Sequence, residues 1–226
     1  MNRLTLLLVF VAWGNSAFTL SPGDGEIDGR KLAPYKLTWK QCTKQENAWV
    51  PMSDLTEELV AVGTSILRHR QTSLSPEGAQ IAATTFFDRH SLTPVRMETL
   101  VRGANGEILL TSEREISESG YTGLTQRGDQ QKTVSGRITS NMFHGGALGL
   151  PLATIVKLSG SVELQASMMQ FDGTYDVTVT WQGQHTLKYD GQSIEAYLAD
   201  VRWHHLESGD IYPPGPQASG GRFWLV

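Results

Sequence analysis

Apolar and polar residues alternate along most of the chain after residue 32, which is the pattern of β-strands with one buried and one solvated face. The alternation is clearest over residues 175–181, where every second residue is apolar, and a longer strand is predicted over 194–203. Gln182-Gly183 and Asp190-Gly191 are typical turn pairs and bracket a short strand at 185–189. The C-terminal part of the chain is therefore predicted to be an antiparallel meander.

The preceding half carries the same pattern with frequent turn residues. Asn105-Gly106 between two apolar runs is a strong hairpin signal, and residues 88–91 form a second polar turn. Further strands are predicted at 80–87, 95–101, 107–111, 121–125, 133–139 and 162–169.

Two segments depart from the period of two. Over 53–70, apolar residues recur at helical spacing behind Ser53, a helix-capping residue type, but the segment also holds β-branched residues and a central Gly63. A helix and a hairpin both remain open there. Over 142–155, glycines and a proline interrupt large apolar residues, which predicts a short helix or loop inserted into the mouth of the sheet.

The N-terminus has the pattern of an export signal. Arg3 precedes an apolar run over residues 4–13, and small residues follow up to Ala17. The run is too short to span a bilayer, so no transmembrane segment is expected in the mature chain. We predict a signal peptide over 1–17, a flexible leader over 18–31, one domain over 32–226, and a periplasmic or extracellular location.

Composition narrows the class of protein. Cys42 is the only cysteine, so no intrachain disulfide can form and stability must come from a buried core. The formal net charge is −4 and no block of basic residues occurs, which disfavours nucleic-acid binding. A soluble monomer is expected.

Three motifs resemble those of an exported bacterial family of unknown function that is similar in fold to the outer-membrane lipoprotein carriers of the LolA and LolB type. They are Asp-Arg-His-Ser-Leu-Thr-Pro at 88–94, Leu-Gly-Leu-Pro-Leu at 148–152 and Gly-Gly-Arg-Phe-Trp-Leu-Val at 220–226. The resemblance implies a strongly curved antiparallel sheet, an incomplete barrel that cups an apolar ligand. We therefore expect a mainly β fold, a single curved antiparallel sheet forming an incomplete barrel, with one or two short helices.

A curved sheet of this kind has an apolar concave face that must be covered or filled. Its residues either pack together as a core or line a pocket for a lipid or another apolar or amphipathic small molecule. The candidates for ligand binding are Phe86, Met97, Met142, Phe143, Leu150, Met168, Val179, Trp181 and Trp203, with Leu109 and Val177 beside them. An exported binding protein is the function that this pattern favours.

Two alternatives stay open. An acid/base enzyme of the isomerase, lyase or cyclase type would use a titratable group in the same cup, and the candidates are His204, Tyr175 and Glu195. The chain contains no Gly-x-Ser-x-Gly elbow and no glycine-rich phosphate loop, and neither a cofactor nor a metal site is expected. Alternatively, an accessory subunit would dock an envelope protein through an exposed edge at 222–226.

Overall fold

The computed structural model describes residues 18–45, 48–136, 143–144, 147–155, 161–168, 173–189, 191–205, 211–212 and 221–225. Most of them lie in strands, as the alternation predicted. No helix among these residues is long and apolar enough to cross a membrane. In chain order the elements are β1 (Phe18–Leu20), β2 (Tyr35–Gln45), β3 (Ala48–Val62), β4 (Ile66–Leu74), β5 (Gln80–Asp88), β6 (Pro94–Arg102), β7 (Ile108–Ser117), β8 (Gly120–Arg127), β9 (Gln130–Gly136), β10 (Phe143–His144), α1 (Gly149–Thr154), β11 (Ser161–Met168), β12 (Gly173–Tyr189), β13 (Gln192–His205), β14 (Ile211–Tyr212) and β15 (Gly221–Leu225).

The large sheet is an eight-stranded antiparallel meander in which β2 to β9 pair in sequence order. Short turns between successive strands favour this order, because neighbours in sequence pair most readily. Segment 53–70 resolves as the β3–β4 hairpin, with Gly63 in the left-handed region at φ 67°. Gly106 adopts φ 83° in the hairpin predicted at Asn105-Gly106.

The second sheet has seven strands, with the main order β1-β11-β12-β13-β14. Its centre is the long antiparallel hairpin of β12 and β13, on which β11 pairs from one side and β14 and β15 from the other. The short strands β1 and β10 both pair parallel to β11.

One predicted turn is wrong. Gln182-Gly183 does not reverse the chain; β12 continues through it, and the register shifts between Trp181 and Gly183 as in a β-bulge. Gly183 has φ 93°, a conformation that suits glycine in a bulge as well as in a tight turn. The Gln182-Gly183 pair thus marks an irregularity inside one strand and not a turn between two strands. The reversal falls next to Gly191, where Tyr189 pairs with Gln192.

The predicted fold class is confirmed: the protein is mainly β, with a large antiparallel sheet, one short helix among the described residues and no closed barrel. The strands divide over two sheets instead of forming a single one. Along the chain, β10 and α1 lie between the large sheet and β11. Of the helix and the loop that remained open for 142–155, the described residues show the helix at Gly149–Thr154.

The main core joins the two sheets through α1. Leu59, Leu67 and Phe87 of the large sheet belong to the same buried cluster as α1 and the second-sheet strands β12 and β13. Leu152 of α1 is fully buried at 0% exposure. The helix therefore fills space between the sheets with apolar side chains.

Residues 18–31, expected to be a flexible leader, are instead part of the packed structure. Leu20 and Ile27 are buried in the main core, and residues 29–31 form a single 3₁₀ turn. The Gly29 amide donates to the carbonyl of His90, and a Cβ at Gly29 would lie 2.5 Å from a backbone oxygen of the facing turn. The glycines and acids of this segment mark tight turns, not mobility.

Candidate ligand-binding site

The two faces of the large sheet have different environments. One face, here called the core face, carries Leu59, Leu67 and Phe87 into the main core. The strand registers place Arg70, Thr84 and the residues that align with them on the opposite side, here called the groove face.

A groove with a cavity volume of about 440 Å³ runs over the groove face from β4 to β9. Its floor and walls mix polar and apolar side chains, because alternate positions on these strands hold threonine, glutamate and glutamine as well as alanine and leucine. The residues lining it are Arg70, Ala82, Thr84, Glu98, Thr99, Leu100, Thr111, Ser112, Glu113, Leu124, Gln126 and Gln131.

The apolar part of the groove is exposed to an unusual degree for large side chains. Leu124 is 48% exposed, and Leu74 and Leu109 on the same face are 43% and 44% exposed. Leu100 and Ala82 lie beside each other on adjacent strands. Leu124, Leu100 and Ala82 give the groove an apolar surface that water covers when nothing is bound.

A charged cluster on the groove face is centred on Arg96, and two of its carboxylates, Glu98 and Glu113, line the groove. Its guanidinium lies 2.7 Å from a carboxylate oxygen of Glu98 and 2.7 Å from one of Glu113, with Glu115 at 3.6 Å. The same guanidinium lies 5.7 Å from the ring centroid of Phe86, a cation–π contact. Phe86, one of the predicted ligand-binding residues, therefore supports the charged part of the groove face.

A second polar cluster lies on the core face and is largely buried. The Tyr35 hydroxyl donates to Oε1 of Glu57 at 2.5 Å, His69 Nε2 lies 2.8 Å from the same oxygen, and Gln71 donates to Oε2 at 3.4 Å. His69 is 4% exposed, with the side chains of Leu59 and Thr85 on either side in the register.

Hydrogen bonds decide the ionisation of this cluster. Burial alone would raise the pKa of Glu57, but the hydrogen bonds from His69 and Tyr35 outweigh it and lower the pKa. Burial, and then the bond to the Glu57 carboxylate, raises the pKa of the Tyr35 hydroxyl far above its usual value. The cluster is a carboxylate held by hydrogen bonds from three side chains, which stabilises the fold.

Most of the predicted ligand-binding residues lie in cores and not in the groove. Phe143, Leu150 and Val179 are 1%, 4% and 0% exposed in the main core, with Val177, and Trp181 packs against it. Met97 is buried in a smaller cluster on the core face with Ile116 and Tyr121. Leu109 is exposed on the groove face.

The structure does not describe the side chains of the three remaining candidates, Met142, Met168 and Trp203. Met142 lies outside the described residues. Met168 pairs with Gly173, and Trp203 with Val177 and Tyr212, in the strand register of the second sheet; their side chains lie outside the described part of the chain.

The three catalytic candidates do not come together. The register pairs Tyr175 with His205 and Asp176 with His204, whereas Glu195 pairs with Thr186 at the other end of the hairpin. At about 3.3 Å per residue, Glu195 lies roughly 30 Å along the strand from His204. Glu195 is exposed and accepts a hydrogen bond from Thr186 Oγ1 at 2.6 Å.

The described residues contain no group of three or more His, Cys, Asp and Glu side chains arranged to hold a metal ion. No family model matches the chain, and neither the curated proteins nor the solved structures contain a match.

The residues that line the groove were missed at the level of sequence. Glu98, Leu100 and Leu124 lie on predicted strands, Arg70 ends the segment left open between helix and hairpin, and Glu113 follows the strand predicted at 107–111. Their polar neighbours made this face look like the solvated side. The available signal was the pair Leu100 and Leu124, large apolar residues at positions of the alternation that are mostly polar on these strands.

Proposed function

We propose that this is an exported binding protein that holds an amphipathic small molecule or lipid on the groove face of the large sheet. The observation that carries the proposal is the mixed lining of the groove, in which Leu100 and Leu124 lie beside charged and amide side chains. A purely apolar ligand would leave those polar groups without partners, and a purely polar one would leave the leucines in water.

The size of the groove supports a small molecule. Its volume of about 440 Å³ falls within the range of about 300–1,000 Å³ that is usual for ligand pockets. The groove is open along the sheet, which suits a head group and part of a chain better than full enclosure of a long acyl chain.

The close packing of the main core also favours the groove face as the binding surface. Phe143, Leu150 and Val179, which would have lined an apolar cup, are packed against other apolar side chains in the main core. A ligand there would have to displace α1. On the groove face no side chain of the described residues needs to be displaced. The signal-like residues 1–17 are consistent with work outside the cytoplasm.

Native mass spectrometry of mature protein purified from its own envelope tests this proposal. We expect a co-purifying amphipathic molecule on the wild type that is lost in Leu124→Lys, because a lysine puts a charge in the apolar part of the groove. Ile81→Lys is the matched control, since Ile81 is 51% exposed, close to the 48% of Leu124, but lies on the core face. An apo mass for the wild type that does not shift with added envelope lipids contradicts the proposal.

A further inference from the structure

Arg70 is the cation of the groove that is available to a ligand. Its neighbour on the same strand face, Arg68, donates to Glu58 at 2.9 Å, whereas the Arg70 side chain has no ion pair or hydrogen bond within the described part of the chain. Arg70 is exposed and lines the groove. A guanidinium in this position presents a planar set of donors suited to a phosphate or carboxylate.

Excess negative charge lies further along the same groove. Glu98, Glu113 and Glu115 share the guanidinium of Arg96, so within the described part of the chain three carboxylates have one cation between them. Glu98 and Glu113 lie directly opposite each other on β6 and β7 and both line the groove. Like charges opposite each other on paired strands are unfavourable, and a further cation above them would relieve the repulsion.

The two charges are a fixed distance apart. Arg70 pairs with Thr84, and Thr84 pairs with Glu98, so Arg70 and Glu98 stand in the same row of the sheet with one strand between them. Two strand spacings place their Cα atoms roughly 10 Å apart. Between them lies Thr84, whose hydroxyl side chain also lines the groove.

This arrangement discriminates between ligand charges. An anion bound to Arg70 alone would be repelled by the carboxylates along the row, and a cation bound to the carboxylates alone would be repelled by Arg70. A head group that carries both charges satisfies both sites at once. Ala82, Leu100 and Leu124 then provide the apolar surface for an attached chain.

We propose that the groove selects a zwitterionic head group, with its anionic part on Arg70 and its cationic part over Glu98 and Glu113. The inference rests on the proposed function, since it specifies the chemistry of the amphipathic molecule. A zwitterionic lipid head group and a free zwitterion share this chemistry, and the apolar part of the groove favours the former.

Isothermal titration calorimetry of the mature wild-type protein tests the proposal with four probes that share one alkyl chain. They are dodecylphosphocholine, dodecyl phosphate, dodecyltrimethylammonium and dodecyl maltoside, each used below its micelle concentration, and tail-free phosphocholine is the fifth probe. We expect dodecylphosphocholine to bind most tightly. Stronger or equal binding of the nonionic maltoside would overturn the head-group inference and leave the proposed function standing.

Two variants separate the two charges. We expect Arg70→Gln to weaken the binding of dodecylphosphocholine and of dodecyl phosphate about tenfold, since one charge-assisted contact is lost. The binding of dodecyltrimethylammonium should become no weaker. Glu113→Gln should weaken the binding of dodecylphosphocholine and of dodecyltrimethylammonium but not the binding of dodecyl phosphate. Arg127→Gln on the core face and Glu118→Gln in the β7–β8 turn remove the same charges outside the groove and should change nothing.

The outcomes distinguish the two proposals. Equal effects of Arg70→Gln and Arg127→Gln would overturn the head-group inference alone. Binding of tail-free phosphocholine as tight as that of dodecylphosphocholine would support the head-group selection and overturn the amphipathic ligand. Absence of binding by every probe would overturn the proposed function and this inference with it.

Discussion

Replacement of Glu57 by glutamine should remove a pH-dependent part of the stability of the large sheet. The Glu57 side chain is 14% exposed, and its Oε1 is the acceptor at 2.5 Å from the Tyr35 hydroxyl and 2.8 Å from His69 Nε2. Glutamine keeps a carbonyl oxygen but loses the charge that strengthens both bonds. Its amide NH₂ would also face the Gln71 amide donor, now 3.4 Å from Oε2.

We expect Glu57→Gln to lower the free energy of unfolding by about 2 kcal/mol at neutral pH, since hydrogen bonds to charged groups contribute about 1.5–3 kcal/mol. The pKa of Glu57 is lowered in the folded protein, so its contribution is present above the unfolded pKa and is lost as the pH falls through the folded one. The difference between wild type and variant should therefore shrink as the pH falls below about 4.5.

Urea denaturation of the mature proteins, followed by far-UV circular dichroism at several pH values, measures this difference. Glu118→Gln, in an exposed turn, is the control and should unfold like the wild type at every pH. A Glu57→Gln variant that is as stable as the wild type at neutral pH would refute the reasoning. A stability difference that stays constant down to acid pH would refute the assigned ionisation.

Three further predictions concern the packing of the chain. Gly29→Ala should destabilise by about 1–3 kcal/mol, because the new Cβ would lie 2.5 Å from a backbone oxygen of the facing turn; Gly25→Ala meets nothing within 4 Å, and equal melting temperatures for the two variants would contradict this. Leu152→Ala, at a fully buried position, should lower the free energy of unfolding in urea denaturation by about 2–5 kcal/mol. The exposed Leu124→Ala should change it by no more than about 0.5 kcal/mol, and similar losses for the two variants would contradict the burial of Leu152 in the main core. The mature N-terminus should be Phe18 by intact mass and N-terminal sequencing, and a start inside 21–31 would contradict the packing of this segment.

The sequence was sufficient to predict most of the strands after residue 80, because period-two alternation directly reflects one buried and one open face; β1 and β2 were not predicted individually. The hairpins at Asn105-Gly106 and after Asp88 are confirmed. They were predictable because their residue types strongly favour tight turns. Gln182-Gly183 was misread because glycine at positive φ serves a bulge and a turn equally well. Glycine here forms a bulge and not a turn because β13 continues to pair with β12 on both sides of it, and residues 182–183 alone do not reveal this.

The candidate site was harder to predict for a related reason. Alternation shows that a strand has two faces but does not show which partner covers each face. Val179 and Leu150 looked like ligand contacts because an apolar cup was expected, but α1 fills that space. Arg70 and Glu98 come together only through the pairing of three strands, which their separation along the chain does not reveal.

Chemical-shift mapping of the isotope-labelled mature protein, titrated with dodecylphosphocholine, tests most directly whether the groove face is the binding surface. We expect the largest backbone shifts on Ala82, Leu100 and Leu124 and their neighbours from β4 to β9. Shifts concentrated on α1 and the main core around Leu152 would instead show that ligand enters between the sheets, and would contradict binding on the groove face.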